Sequence, residues 1–382
     1  MTWRDCRLVD VMKLQRGHDL PADRRQEGDV PVVSSSGITG FHREAKAAAP
    51  GVVTGRYGTL GAVFFVDRDY WPLNTALYVT DFKGNDPRFI AYFLRHLLKD
   101  YQSDKAAVPG IDRNVLHELK VRAPDLAIQL RIVDLLSRYD DLIDNNRRRI
   151  KLLEDSVRLL FDEWFVRLRV RGAPPPNPGE LPPGWRREPL GKLTSKIGSG
   201  ATPRGGGASY VEEGIALIRS QNVYDYEFVD DGLAFIDQDQ AARLDGVTVE
   251  EHDVLLNITG ASVGRCCMVP PRLVPARVNQ HVMIIRAAAS MDPHYLLCAI
   301  NSDERKRQLL SYAQTGSTRE ALTKDLMSAF EVLVPDTSTL AAFAQFARDA
   351  FGQREVLATQ NIKLRAARDL LLPRLMSGEL AV

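Results

Sequence analysis

The chain has 382 residues, enough for two domains of ordinary size, each burying its own core. With 45% apolar and 26% charged residues the composition is that of a globular protein, and no apolar run approaches bilayer length. A net charge of +1 argues against a protein that holds DNA alone and mainly through phosphates. Residues 1–171 carry 28 Lys/Arg against 24 Asp/Glu, and residues 172–382 carry 22 against 25.

The first residues, MTWRDCRLVD, lack the basic-then-apolar form of a signal peptide. Cys6, Cys266, Cys267 and Cys298 lack metal-ligand spacing, so reduced thiols in a cytoplasmic protein with no membrane segment are expected. From there VPVVSSSGITGF (30–41), GVVTGRYGTLGAVFFV (51–66) and TALYVTDF (75–82) read as short strands joined by Gly or Ser turns, and Pro87–Lys99 as a helix.

The strongest periodic signal follows, over Gln129–Arg169. Ile132, Leu136, Tyr139, Ile143, Asn146, Ile150, Leu153, Val157, Leu160 and Trp164 alternate at spacings of four and three, an a/d seam that needs a partner helix. At ~1.5 Å per residue this helix is roughly 60 Å long. Asn146 either fixes the register of a pairing or is a polar residue tolerated at a wet edge. Next comes RGAPPPNPGELPPG (171–184), whose six prolines make a semi-stiff extended spacer.

After the spacer the order of elements repeats. Trp3, Leu8 and Pro21 reappear as Trp185, Leu190 and Pro203, each displaced by 182 residues. GIALIRSQNV (214–223), DVLLNITGASVGRCCMV (253–269) and NQHVMIIRA (279–287) take the strand roles, and Pro293–Leu310 the helix. A second long helix spans Ala341–Met376. One row of its seam is apolar: Phe343, Ala350, Leu357, Leu364 and Leu371. Its other row is poor, whether read through Ala347, Arg354, Asn361 and Arg368 or through Phe346, Gln353 and Gln360. A period this long indicates two related domains and not a solenoid. If a pseudo-two-fold axis relates them, the long helices pair antiparallel with a domain at either end.

The chemistry-bearing motifs point to binding. An Asn/Asp-Pro-Pro-aromatic methylase site is absent from the sequence, and GRYGTLG (55–61) lacks the Lys-Ser/Thr ending of a phosphate loop. The seven histidines show no metal-ligand spacing, so neither a metal nor a catalytic residue is expected.

Taken together, W3…L8, VPVVSSSGITG, GRYGTLGAVFFV, VPGIDRNVL (108–116), LKVRAPDLAIQLRIVDLL (119–136), ALIRSQNV, NITGASVG, NQHVMIIR, QTGSTREALTKDLM (314–327), FEVLVP (330–335) and LLLPRLMSGEL (370–380) resemble the specificity subunits of type I restriction–modification systems. The resemblance covers nearly the whole chain and rests on the duplicated order. It implies an α+β fold with two strand-rich target-recognition domains at opposite ends of an antiparallel two-helix coiled coil. The corresponding segments are residues 1–128 and 185–339 for the domains, 129–170 and 340–378 for the helices, and 171–184 for the linker.

It further implies a non-catalytic subunit that reads a bipartite double-stranded DNA site, one half per domain. Two methylase subunits, which would bind the adenosylmethionine, would dock on the helices, and restriction subunits would join the full complex. By position and residue type the candidate DNA contacts are Ser35, Ser36, Arg56, Tyr57, Asn74 and Arg113 in the first domain. In the second they are Arg219, Gln221, Asn222, Arg265, Asn279 and Arg319. Asn74 and Asn279, each just before a strand, are alternatively turn residues. The rival reading is an adaptor that binds other proteins through its helices without reading DNA sequence.

Overall fold

A computed structural model describes residues 2–56, 61–99, 110–314 and 321–382. In chain order the first half contains β1 (Trp3–Arg7), β2 (Lys13–Arg16), β3 (Val30–Ser34), β4 (Gly37–His42), β5 (Gly51–Gly55), β6 (Val63–Val66), β7 (Trp71–Pro72), β8 (Ala76–Asp81), α1 (Pro87–Leu98), α2 (Arg113–His117), β9 (Lys120–Pro124) and α3 (Leu126–Phe161). The second half contains β10 (Arg186–Pro189), β11 (Thr194–Ser199), β12 (Ile215–Ile218), β13 (Ala234–Ile236), α4 (Gln238–Arg243), β14 (Thr248–Val249), β15 (Val254–Asn257), β16 (Cys266–Met268), β17 (Ala276–Val278) and β18 (Val282–Ala287). It ends with α5 (Pro293–Asn301), α6 (Asp303–Gln314), α7 (Lys324–Ala329), β19 (Glu331–Val334) and α8 (Thr337–Met376).

The chain folds as two units, residues 1–145 with 360–382 and residues 146–359, so each long helix is divided between them. In the first unit the sheets are β2-β8-β5-β6, β4-β3-β7 and the ribbon β1-β9; in the second they are β11-β18-β15-β16, β13-β12-β17-β14 and β10-β19. Apart from β14, whose place in the first unit holds only the isolated bridge Ala47–Tyr70, this is one topology built twice, down to the parallel pairing of β3 with β7 and of β12 with β17. The largely apolar runs VPVV, GVVT and VLLN suit strands covered on both faces. All of Gly51–Gly55 and Val254–Asn257 are buried.

In each unit one sheet, β2-β8-β5-β6 or β11-β18-β15-β16, is covered by a helix capped by an acid that precedes proline. Asp86 accepts the Phe89 N–H before α1, and Asp292 accepts those of His294 and Tyr295 before α5. The Pro-Asp steps 124–125 and 335–336 start the long helices in the same way. Asp336 also accepts the indole N–H of Trp185 at 3.0 Å. The segment expected as one helix over 293–310 is two, because Ser302 adopts an extended backbone between α5 and α6.

Within each unit the long helices pack antiparallel. In the first, Ile132 and Leu136 of α3 join Leu372, Leu375 and Met376 of α8 in the core under the four-stranded sheet. In the second, Val157 and Phe161 meet Phe343, Ala347 and Ala350, with Phe165, Trp185 and Tyr295 completing an aromatic cluster.

The second seam row of α8 is the polar one. Ala347 is fully buried, Asn361 is 4% exposed and Phe346 is exposed. Arg354 reaches Glu154 at 3.4 Å, the Asn361 amide nitrogen is 3.5 Å from the Ile143 carbonyl, and Arg368 bonds Asp140 at 2.5 Å. Asn146 is 5% exposed, an interior seam position and not a wet edge. The α-helix stops at Phe161, short of the expected Val170, and passes through a single π turn, Asp162–Val166.

Candidate nucleic-acid interface

In each unit the inner parallel strand ends beside the turn that opens the central antiparallel strand, and the loop ends converge there. Leu73 N–H donates to Val33 C=O at 2.8 Å, and Asn279 N–H to Ile218 C=O at 2.9 Å. Gly17 N–H meets Ala76 C=O at 3.0 Å, and Gly200 N–H meets Val282 C=O at 2.9 Å. Both glycines are forced by close approach: a Cβ at Gly17 would lie 2.2 Å from Leu73 O, and one at Gly200 2.1 Å from Val278 O. Arg56 donates its N–H to Thr75 C=O (3.0 Å) and accepts from Ile111 N–H (2.9 Å); Ile258 does the same with His281 and Leu322 (3.0 and 2.9 Å).

These bonds pair the residues of the two units one by one. Gly17 corresponds to Gly200, Arg56 to Ile258, and the N-cap Asp112 of α2 to the N-cap Thr323 of α7. The offset is 182 at Leu8 and Leu190 but 183 at the glycines, one residue having been absorbed at the strand irregularities in β2 and β11. Counting on from Gly17 and Gly200, Pro21 therefore does not fall on Pro203.

The candidates divide by what their side chains do. Ser35 and Ser36 form the two-residue turn between β3 and β4, with Ser36 Oγ 3.0 Å from Ser34 Oγ. Their counterparts by strand end are Ser220 and Gln221. Arg113 is the exposed first residue of α2. Asn74 donates from Nδ2 to Asp19 Oδ1 at 2.6 Å. The backbone bonds through Ile111 bring Arg56, Asn74 and the start of α2 to one place. Tyr57 and Arg319 lie outside the described residues.

In the second unit three candidates build their own loop. Asn222 is fully buried, its amide donating to Val229 C=O (2.9 Å) and Asp231 C=O (3.2 Å) and accepting from Arg219 N–H (3.1 Å). Gln221 donates to Gly232 C=O at 3.1 Å, and the Arg219 guanidinium donates to the same carbonyl. Asp225, Glu227, Asp230 and Asp231 line this excursion, and such a run of carboxylates repels phosphate. Arg265 lies over the Tyr224 ring, 4.4 Å from its centroid. Asn279 is 9% exposed and accepts the His281 N–H at 3.1 Å, which makes it a turn residue.

The exposed polar cluster of the second unit is one that residue type alone did not single out. Gln280 Oε1 accepts from Thr202 Oγ1 at 2.6 Å, and its Nε2 lies 3.0 Å from His281 Nε2. His281 Nδ1 is in turn 2.7 Å from Thr259 Oγ1. With the Gln280 Nε2 donating, the neutral imidazole accepts at Nε2 and carries its proton on Nδ1, which then donates to Thr259. The signal in the sequence was the glycine pair: counting on from Gly17 and Gly200 puts Asp19 opposite Thr202.

Among the described residues no group of three or more His, Cys, Asp or Glu is placed to hold a metal ion, and no helix is long and apolar enough to cross a membrane. The thiols of Cys266, Cys267 and Cys298 are buried, and burial pushes Cys267 up to about 12. They are packing groups without thiolate character.

Residues 1–155 match the type I restriction modification DNA specificity domain. The MjaIX specificity subunit of a type I restriction enzyme from Methanocaldococcus jannaschii is 24% identical over 75% of this chain and 66% of its own length. The HindI specificity subunit of Haemophilus influenzae is 19% identical over 84% of each chain.

Residues 1–155 thus carry a type I restriction DNA specificity domain, and most of the chain is similar to type I specificity subunits.

The crystal structure of a type I restriction–modification S subunit from M. genitalium shares the fold. It has a TM-score of 0.60 at 14% identity and covers 98% of this chain and 96% of that one. The family model ends within α3, yet the second unit repeats the topology of the first apart from the added strand β14.

Proposed function

We propose that this chain is the DNA-reading subunit of a type I restriction–modification complex. Each unit reads one half of an asymmetric, bipartite double-stranded site. The helices α3 and α8 set the spacer and carry two methylase subunits, which bind adenosylmethionine and perform the chemistry. Restriction subunits join for cleavage.

The observation that carries this reading is the duplicated topology in a chain whose first 155 residues match a DNA specificity domain. Two copies of one reading fold suit a target in two parts. Their polar ends differ (Asp19, Arg56 and Asn74 against Thr202, Ile258 and Gln280), which suits unlike halves. The net charge of +1 fits a reader whose partners supply much of the phosphate contact.

Mapping modified bases in a cell that expresses the chain with its methylase tests the proposal. The expected result is a split motif with a fixed, unspecified spacer. A continuous motif, or methyl transfer by the purified chain alone, would overturn it.

A further inference from the structure

The backbone registers put Asn74 and Gln280 at one and the same position of the duplicated fold. Leu73–Ala76 and Asn279–Val282 are equivalent turns, closed by Ala76 N–H to Leu73 C=O (2.9 Å) and by Val282 N–H to Asn279 C=O (3.0 Å). Asn74 and Gln280 are the second residues of these turns. The groups that hold them correspond as well. Asp19 and Thr202 each follow the equivalent glycine by two residues, and each lies 2.6 Å from the carboxamide of its own unit.

We propose that Asn74 and Gln280 are the specificity-determining carboxamides of the two units, each reading an A·T pair in its half-site, with Asp19 and Thr202 as positioning residues. This rests on the DNA-reading function proposed above.

Between the two units the holding group changes from carboxylate to hydroxyl, and the amide arm lengthens by one methylene. The carboxamide end is what both keep. Neither amide is buried: Asn74 is half-exposed and Gln280 is exposed. The closing bond of each turn is accepted by the backbone carbonyl of Leu73 or Asn279, so the carboxamides of Asn74 and Gln280 are not needed for it.

Hydrogen-bond capacity points the same way. Asn74 spends one N–H on Asp19 and keeps its second N–H and its carbonyl oxygen. Gln280 spends one N–H on His281 and one oxygen lone pair on Thr202, and keeps one of each. One donor beside one acceptor on a planar amide matches the N7 acceptor and N6–H donor of adenine in the major groove. A carboxamide beside the Asp19 carboxylate is poorly placed for phosphate, because the like charge repels it. Holding the amide in place before DNA arrives lowers the entropy cost of the contact.

The test uses the full chain in complex with its methylase subunits and a randomised duplex pool, from which bound sequences are recovered. Wild type should return a bipartite motif. Q280A should relax a single base pair in one half-site, lowering discrimination there by roughly 5- to 150-fold. N74A should do the same in the other half only. Q280E, which keeps the Thr202 hydroxyl as a donor, should move the preference at its position from adenine to cytosine, since a carboxylate accepts from the cytosine N4 amine. T202V should weaken discrimination at the Gln280 position by less than Q280A does.

Melting profiles equal to wild type establish that the variants are folded. Folded Q280A and N74A proteins with unchanged motifs would overturn the inference. So would a uniform loss of affinity across all sequences with a shallower salt dependence, the mark of a phosphate contact. A wild-type complex that selects no motif would overturn the DNA-reading function itself, and is distinguished because it appears before any substitution is made.

Discussion

His117 shows how a single side chain can make a loop of this fold depend on pH. It lies in α2, and its Nε2 accepts the Leu14 N–H at 2.9 Å, tying β2 to the residues before β9. An imidazole that accepts at Nε2 is neutral. Burial, with Arg113 nearby, holds its pKa below the usual 6.5. On acidification below about 6.5 the unfolded chain gains a proton that the folded one refuses, so stability is full above that pH and declines as pH falls toward the folded value. Urea denaturation across pH 5–8 should show wild type losing stability on acidification relative to H117Q, whose amide also accepts the N–H. Parallel pH profiles would contradict this.

The same scale shows where residue type misleads. Asn222, Asn279 and Arg219 carry side chains suited to base edges, yet the first two spend theirs on the turns that follow β12 and β17, and Arg219 on the Gly232 carbonyl. Polar type states what a group can bond. Which atoms lie within 3 Å is decided by the packing of strands distant in sequence.

At the scale of elements, the seam of α3 is legible from spacing alone. Ile132, Leu136, Ile143 and Val157 are buried as a four-three alternation requires. Its partner α8 is not, because half of its seam is polar. Arg354 is held by Glu154, Tyr226 C=O and Glu355, and Arg368 by Asp140 and Asp369. Periodicity counts apolar residues and cannot see a half-buried Arg that meets its carboxylate on another helix 200 or more positions away.

Burial raises the Glu154 pKa despite the neighbouring Arg354, so the desolvation of this pair outweighs its attraction. Arg354→Ala leaves Glu154 without that attraction and should cost roughly 2–4 kcal/mol of stability. The double variant R354M/E154L should recover most of it, since an apolar pair of similar volume incurs no desolvation. A double-mutant cycle by urea denaturation measures both. An R354A protein as stable as wild type would refute the role of the pair.

At the scale of the whole molecule, the proposed function makes the two units separable readers. Exchanging residues 1–128 for those of another family member should change the bases of one half-site and leave the other half as it was, as read from the modified-base map. A change in both halves would mean that reading is shared between the units. The half that changes is also the half in which N74A should act.

The sequence by itself determined that there are two domains, that each is rich in strands and followed by a long helix, and that the motifs resemble those of the specificity subunits. Those features are written in local patterns: alternation, heptads, Gly-punctuated turns and a proline-rich spacer. Only the tertiary structure decided that the units exchange helical segments, with residues 360–382 completing the core begun by residues 1–145. It also decided that Asn74 answers to Gln280 and not to Asn279. A one-residue shift between 182 and 183 is invisible in a loose repeat, whereas backbone hydrogen bonds come in whole residues and admit one register.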